Sequence, residues 1–172
     1  METRTHSIRR TYKMRYYIAY GSNLNKRQMK TRCPNARVVG TSEIKDFRLL
    51  YKGSFCGSYL TIEKAKGCSV PVGIWEVDDN DERQLDRYEG FPVFYYKDNM
   101  SLPVKDENGN IQKRDCFVYI MHEDRKMGLP SMYYVQVCKD GYRDFGFDYK
   151  ILLEAYAYTE KHLQPLKRNS ND

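Results

Sequence analysis

Apolar residues along this 172-residue chain fall into runs of two different periods, and the switches between them divide the chain into elements. Near the start, Tyr16-Tyr17-Ile18-Ala19-Tyr20 is a continuous apolar and aromatic run. It stops at Gly21-Ser22-Asn23-Leu24, and a helix-forming segment from Asn25 to Arg32 follows. That order predicts a strand, a tight turn and a helix. Val38–Ile44 and Phe47–Tyr51 read as strands separated by a short polar break. Ser58–Glu63 and Val70–Val77 read as a hairpin across Lys66-Gly67-Cys68-Ser69. Then the period changes. Asp78-Asp79-Asn80-Asp81-Glu82 supplies N-cap side chains and acids suited to a helix N-terminus. Leu85 and Tyr88 share one face, Gly90 suits the left-handed position after a helix, and Pro92 follows, so the spacing predicts a helix over Asp79–Glu89. Phe94–Val104 and Ile111–Met121 are strands around the turn Glu107-Asn108-Gly109-Asn110. Pro130-Ser131 opens a helix near Met132–Lys139, and Tyr149–Leu163 carries apolar residues at helical spacing.

Six or seven strands joined by hairpins, with helices inserted and appended, are not the alternating pattern of a parallel sheet. They predict an α+β fold with a mostly antiparallel sheet able to close into a barrel. The length suits one domain, placed at residues 14–163, with a disordered extension expected over 1–13 and a frayed tail over 164–172.

Composition changes the picture little. Hydrophobic residues are 41 % and charged residues 30 %, ordinary for a globular protein. No apolar run approaches the ~18 residues of a membrane span, and the first fifteen residues have no apolar centre of a secretory signal. The net charge of +6 suggests a nucleic-acid partner, but residues 1–15 carry five cations against Glu2, so only +2 remains for the rest of the chain. A basic excess confined to one end argues against a nucleic-acid binder. The five cysteines (Cys33, Cys56, Cys68, Cys116, Cys138) are odd in number with no Cys-x-x-Cys pair, which fits reduced thiols in a cytoplasmic protein better than a zinc or redox site. His6, His122 and His162 show no metal spacing, and no phosphate-binding loop or nucleophile elbow occurs.

Two segments carry candidate chemistry. The turn Gly21-Ser22-Asn23-Leu24 has residues that let backbone N–H groups converge on an anion, a carboxylate or an oxyanion; the plainer reading is a turn with Asn23 or Asn25 as helix cap. Glu89 lies in the last turn of its helix, where the negative end of the dipole disfavours ionisation. In a desolvated site its pKa rises towards neutrality, which suits a group that takes and returns a proton; the plainer reading is a solvated glutamate at a helix end. Of Tyr95 and Tyr96, alternation lets only one face a given side of the sheet.

These residues resemble the γ-glutamylcyclotransferase-like family. Tyr20-Gly21-Ser22-Asn23-Leu24 is similar to its signature loop, and Leu85-Asp86-x-Tyr88-Glu89-Gly90 to the segment that carries its catalytic glutamate. Tyr96, seven residues after Glu89, and Tyr134, within Pro130-Ser131-x-x-Tyr134, are similar to pocket tyrosines. Gly141-Tyr142-x-Asp144-Phe145-Gly146 completes a C-terminal pattern. The resemblance implies a small barrel-like sheet flanked by helices and removal of a γ-glutamyl group as 5-oxoproline with release of an amine. It implies Glu89 as catalytic acid and base, and Tyr20, Gly21, Ser22, Asn23, Leu24, Tyr96 and Tyr134 as substrate-binding. No cofactor or metal is implied, and the partner is a small-molecule γ-glutamyl substrate. The loop leans towards the general branch rather than the glutathione-specific one. The alternative on the same scaffold is a module that holds such a metabolite without turning it over.

Overall fold

The structure is a computed structural model and describes residues 13–54 and 56–163. The extension expected over 1–13 lies, apart from Lys13, outside the described residues, as does the expected tail. Among the described residues six strands and four α-helices follow in the order β1 (Arg15–Ala19), α1 (Lys26–Arg32), β2 (Arg37–Ser54), β3 (Gly57–Val77), α2 (Asp79–Glu89), β4 (Tyr95–Lys105), β5 (Ile111–Met121), β6 (Lys126–Met127), α3 (Met132–Asp144) and α4 (Lys150–His162). The strands run β3-β1-β5-β4-β2, and β2 pairs back onto β3, so the sheet closes on itself; β6 adds to the far end of β2. The β1–β5 pairing is parallel and the other pairings are antiparallel. Closure leaves an apolar core that includes Ile18, Leu60, Ile62, Ile74 and Val118, all fully buried. The chain is therefore the expected α+β fold with a mixed, mostly antiparallel barrel.

The expected hairpin across Lys66–Ser69 is not there. Ser58–Glu63 and Val70–Val77 belong to one strand, β3, because both pair with the same partner, β2. The two strands expected over 38–51 are likewise one. The chain reverses instead between Ser54 and Gly57. The polar breaks on β2 and β3 face each other as a bulge: Lys45 pairs with Ser69 and Phe47 with Lys64, and the Gly67 N–H donates to Asp46 Oδ1 at 2.9 Å. A polar interruption flanked by Gly thus reads as a turn from sequence, although an extra loop in one strand satisfies the same pattern.

α2 has the predicted bounds. Asp78 caps it, accepting from the N–H groups of Asn80 and Asp81 at 2.9 and 2.8 Å, and Gly90 takes the left-handed conformation (φ 65°) that ends it. α3 runs on past Lys139 to Asp144, with Gly141 inside it. A Cβ there would stand 2.6 Å from the Asn25 nitrogen and 2.8 Å from the Leu24 carbonyl carbon. The helix can approach the Gly21–Leu24 loop only because this residue lacks a side chain. Gly141→Ala, which would favour an isolated helix by ~1 kcal/mol, is therefore expected to destabilise the protein by about 1–3 kcal/mol, read as a lower urea midpoint.

Candidate active site

Helix α2 lays Glu82, Asp86 and Glu89 along the face that meets the sheet. Two of these acids are neutralised: Glu82 by Arg15 and Lys97, both at 2.6 Å, and Asp86 by Lys97 at 2.7 Å. Among the described residues no cation forms an ion pair with Glu89. Its Oε1 accepts instead from Asn23 Nδ2 at 2.9 Å. Burial pushes the Glu89 carboxyl up to about 7; the nearby Arg32 guanidinium and the Asn23 hydrogen bond pull the other way without prevailing. The sequence reading named both the helix dipole and desolvation; in the folded protein burial is the cause that raises it.

The Gly21–Leu24 loop bends as a single 3-10 turn over Ser22–Leu24. The Leu24 N–H donates to Gly21 O and the Asn25 N–H to Ser22 O, both at 3.0 Å. The N–H groups of Gly21, Ser22 and Asn23 have no protein acceptor among the described residues. Asn25, not Asn23, caps the following helix, accepting from the Gln28 N–H at 3.1 Å. Asn23 has a different task. Its amide nitrogen donates to Glu89 and to the Tyr17 hydroxyl (2.8 Å), its amide oxygen accepts from Arg32 Nη1, and its backbone carbonyl accepts from Trp75 Nε1 at 3.1 Å. Four elements therefore converge on one asparagine. Leu24 is a correction: its side chain lies wholly in the core and lines no hollow near Glu89, because the tight turn drives it inward against Gly73 and Gly141.

Two hollows adjoin at Glu89. The inner one, about 30 Å³, is lined by Tyr17, Tyr20, Gly21, Asn23, Tyr119 and others. The outer one, about 290 Å³, opens past Tyr59, Tyr88 and Phe94. Ser22, Glu89, Tyr95 and Tyr134 border both. Tyr20 and Tyr134 thus stand with Glu89 and the loop. Tyr96 does not: its hydroxyl donates to Glu123 Oε1 at 2.6 Å on the opposite face of β4, and Tyr95 fills the place expected of it. Alternation along the strand forces one neighbour in and the other out.

The sequence reading missed Tyr17, Tyr95, Tyr119 and Arg32. Tyr17 and Tyr119 sit among many aromatic strand residues, and nothing local marks them as pocket walls. Arg32 lies at the end of α1, where a cation is expected for the helix dipole alone. In the fold its guanidinium stacks 3.4 Å from the centre of the Tyr88 ring and holds the Asn23 amide. It also lines a larger groove of about 840 Å³ between α1 and α3, whose lining includes neither Glu89 nor the Gly21–Asn23 loop. Because this cation favours the ionised carboxylate, Arg32→Met is expected to raise the Glu89 pKa further. The acidic limb of any activity that depends on the carboxylate should then move to higher pH, checked by a pH–rate profile.

The small, mostly antiparallel barrel flanked by helices has the architecture of the γ-glutamylcyclotransferase-like folds. The family model described as "Gamma-glutamyl cyclotransferase, AIG2-like" matches residues 17–136, which hold both the loop and Glu89. The chain belongs to that family. Among solved structures it is similar to one described as "Gamma-glutamyl cyclotransferase" (22 % identity, TM-score 0.70, covering 91 % of this chain and 92 % of that one). It is also similar to a human protein described as uncharacterized (23 %, TM-score 0.69, 90 % of each chain) and to an AIG2-like protein from Mus musculus (24 %, TM-score 0.51, 71 % and 82 %). At these identities the likeness is one of fold. A comparison with curated proteins gives no match. Among the described residues no helix is long and apolar enough to cross a membrane, and no group of three or more His, Cys, Asp or Glu could hold a metal ion.

Proposed function

We propose that the protein is a γ-glutamylcyclotransferase-type enzyme that converts a γ-glutamyl amide or peptide to 5-oxoproline and a free amine, with Glu89 as general base and acid. The observation that carries this reading is that the Glu89 carboxyl group and the Gly21–Asn23 amides border one hollow although they are far apart in sequence. The substrate brings its own nucleophile. Its α-ammonium gives a proton to Glu89, and the amine nitrogen attacks the γ-carbonyl carbon to form a five-membered ring. Holding that near-attack geometry removes much of the barrier. The N–H groups of Gly21, Ser22 and Asn23 hold the α-carboxylate or the tetrahedral oxyanion. Collapse breaks the bond to the leaving nitrogen, which takes the first proton back from Glu89, while the ring nitrogen gives up its second proton to water or to the released amine. A carboxyl group with a pKa near 7 is suited to both transfers.

The test is a panel of γ-glutamyl amino acids, γ-glutamyl amines and γ-glutamyl-ε-lysine, assayed for 5-oxoproline. Release from at least one member, abolished in Glu89→Gln, is the expected result. Binding of these compounds with no release from any of them would replace the enzyme by a metabolite-binding module.

A further inference from the structure

The reaction above concerns the glutamyl end of the substrate and says nothing of what the amine carries. The inner hollow, about 30 Å³, has no room for it. The leaving nitrogen takes a proton from Glu89 while the glutamyl end is held at the loop. Whatever is attached to that nitrogen therefore runs outward past Tyr59, Tyr88 and Phe94, which border only the outer hollow. That hollow, about 290 Å³, is walled by five aromatic rings, those of Tyr59, Tyr88, Phe94, Tyr95 and Tyr134, with Ser22, and Glu89 lies at its inner end. Among the described residues no Lys, Arg or His lines it. Several polar tips are already engaged. Tyr95 donates its hydroxyl to Leu60 O at 2.8 Å, the Tyr134 hydroxyl accepts from the Leu60 N–H at 3.1 Å, and the Ser22 and Tyr88 hydroxyls bond each other at 3.0 Å. The rings also fix one another. Tyr59 stands edge-on to Phe94 and to Tyr134, with ring centres 6.3 and 5.2 Å away. Yet Tyr59 and Tyr88 are 40 % and 45 % exposed, so the mouth presents ordered aromatic surface to water. Two of the rings already carry a cation on one face: the Arg32 guanidinium lies 3.4 Å from the centre of the Tyr88 ring, and that of Arg125 4.8 Å from the centre of Phe94. A second cation in the hollow would meet positive charge behind both rings, whereas a neutral ring packs edge to face without that cost.

We propose that the outer hollow selects a leaving amine with a neutral aromatic tail, and that Tyr59 and Phe94 are the residues that set this specificity. This rests on the cyclotransferase reading and deepens it by naming the substrate class: γ-glutamyl arylalkylamides, ahead of amides whose amine ends in a short alkyl group or a second ammonium. Tyr59 supplies a ring at the mouth that packs on the tail, and Phe94 supplies a wall whose one face is held by Arg125 and whose edge meets Tyr59.

The experiment compares γ-L-glutamyl-phenethylamine, γ-L-glutamyl-ethylamine and γ-L-glutamyl-putrescine on the full chain in two ways. Release of 5-oxoproline by the wild type gives kcat/KM for each, and calorimetry on Glu89→Gln gives Kd under slow turnover. The phenethylamine compound is expected to lead the other two about tenfold in both measurements. Tyr59→Ala and Phe94→Leu, introduced singly, are each expected to bring the ratio of the phenethylamine to the ethylamine compound down to about twofold or less. A merely structural role for either ring would slow both compounds alike and leave the ratio as it was. A ratio that survives in either variant, equal use of all three compounds by the wild type, or a preference for ethylamine or putrescine overturns the proposal. The two readings fail separately. Tighter binding of the phenethylamine compound with no 5-oxoproline from any of the three removes the proposed reaction and keeps the aromatic subsite. Release of 5-oxoproline from all three at equal rates removes only the subsite. A protein that binds none of them overturns the subsite outright.

Discussion

Glu89→Gln is expected to fold normally and to lower the rate of 5-oxoproline release by roughly 10²–10⁴-fold, the contribution of a positioned general base. The substitution is close to isosteric. The amide oxygen that it introduces can still accept from Asn23 Nδ2, so the contact that joins α2 to the loop survives. What is lost is the ability to take a proton from the α-ammonium and hand it to the leaving amine. Both steps pass through one atom group, so the loss should appear in kcat as well as in kcat/KM. A variant with near wild-type turnover would remove Glu89 from the reaction. A variant that binds substrate normally yet turns over slowly is the expected outcome, and single-turnover measurements separate the two. In the wild type the same group should give kcat/KM an acidic limb centred near pH 7, because only the carboxylate form acts as base.

The second expectation is a change in how stability depends on pH. The Glu89 carboxyl has a pKa of about 7 in the folded protein, against 4.5 as its ordinary value. Between those two values the folded state keeps a proton that the unfolded chain has released. Stability therefore falls as pH rises through this window, and is fully present only below about 4.5. At 1.36 kcal/mol per pH unit the window amounts to about 3 kcal/mol. The neutral amide of Glu89→Gln has no such proton to bind or release. The variant should match the wild type near pH 4 and exceed its stability by up to about 3 kcal/mol at pH 8, measured by urea unfolding at each pH. Asp78 and Glu123, held below their ordinary range by hydrogen bonds, titrate in the opposite sense and Asp81, raised by burial, in the same one, but these groups are common to both proteins and cancel in the difference. Equal stability of the two proteins at pH 8 would mean that Glu89 is not desolvated. A desolvated carboxyl group of this kind thus costs stability near neutral pH, a trade common at functional sites.

The polar network explains why a buried acid is tolerated at all. Glu82 and Asp86 on the same helix face are paired with Lys97, and Glu82 also with Arg15, so of these three acids only Glu89 lacks an ion pair among the described residues. Asn23 supplies its hydrogen bond and Arg32 a moderating charge. Replacing Asn23 or Arg32 changes the acid through its surroundings, which is why Arg32 has a shifted pH limb as its expected signature.

Local chemistry made several elements legible before any fold was known. Asp78 and Gly90 marked both ends of α2 to the residue, because a cap side chain and a left-handed glycine act within one turn of the helix. The Gly-Ser-Asn bend after β1, and Glu89 near the end of α2, were visible for the same reason. The tertiary structure decided the rest. Whether the chain turned back at Lys66–Ser69 or only bulged depended on both halves of β3 finding the same partner strand. Whether Tyr95 or Tyr96 faced the hollow depended on the register of β4, and either choice satisfied the local pattern. Tyr17, Tyr119 and Arg32 joined the site only when the barrel closed, and Leu24 left it for the core. Sequence by itself determined what each segment is, since periodicity and caps operate over a few residues. Which side chains share a desolvated space, and so the proton affinity of Glu89, is set by contacts between residues far apart in the chain, and only the folded barrel supplies those.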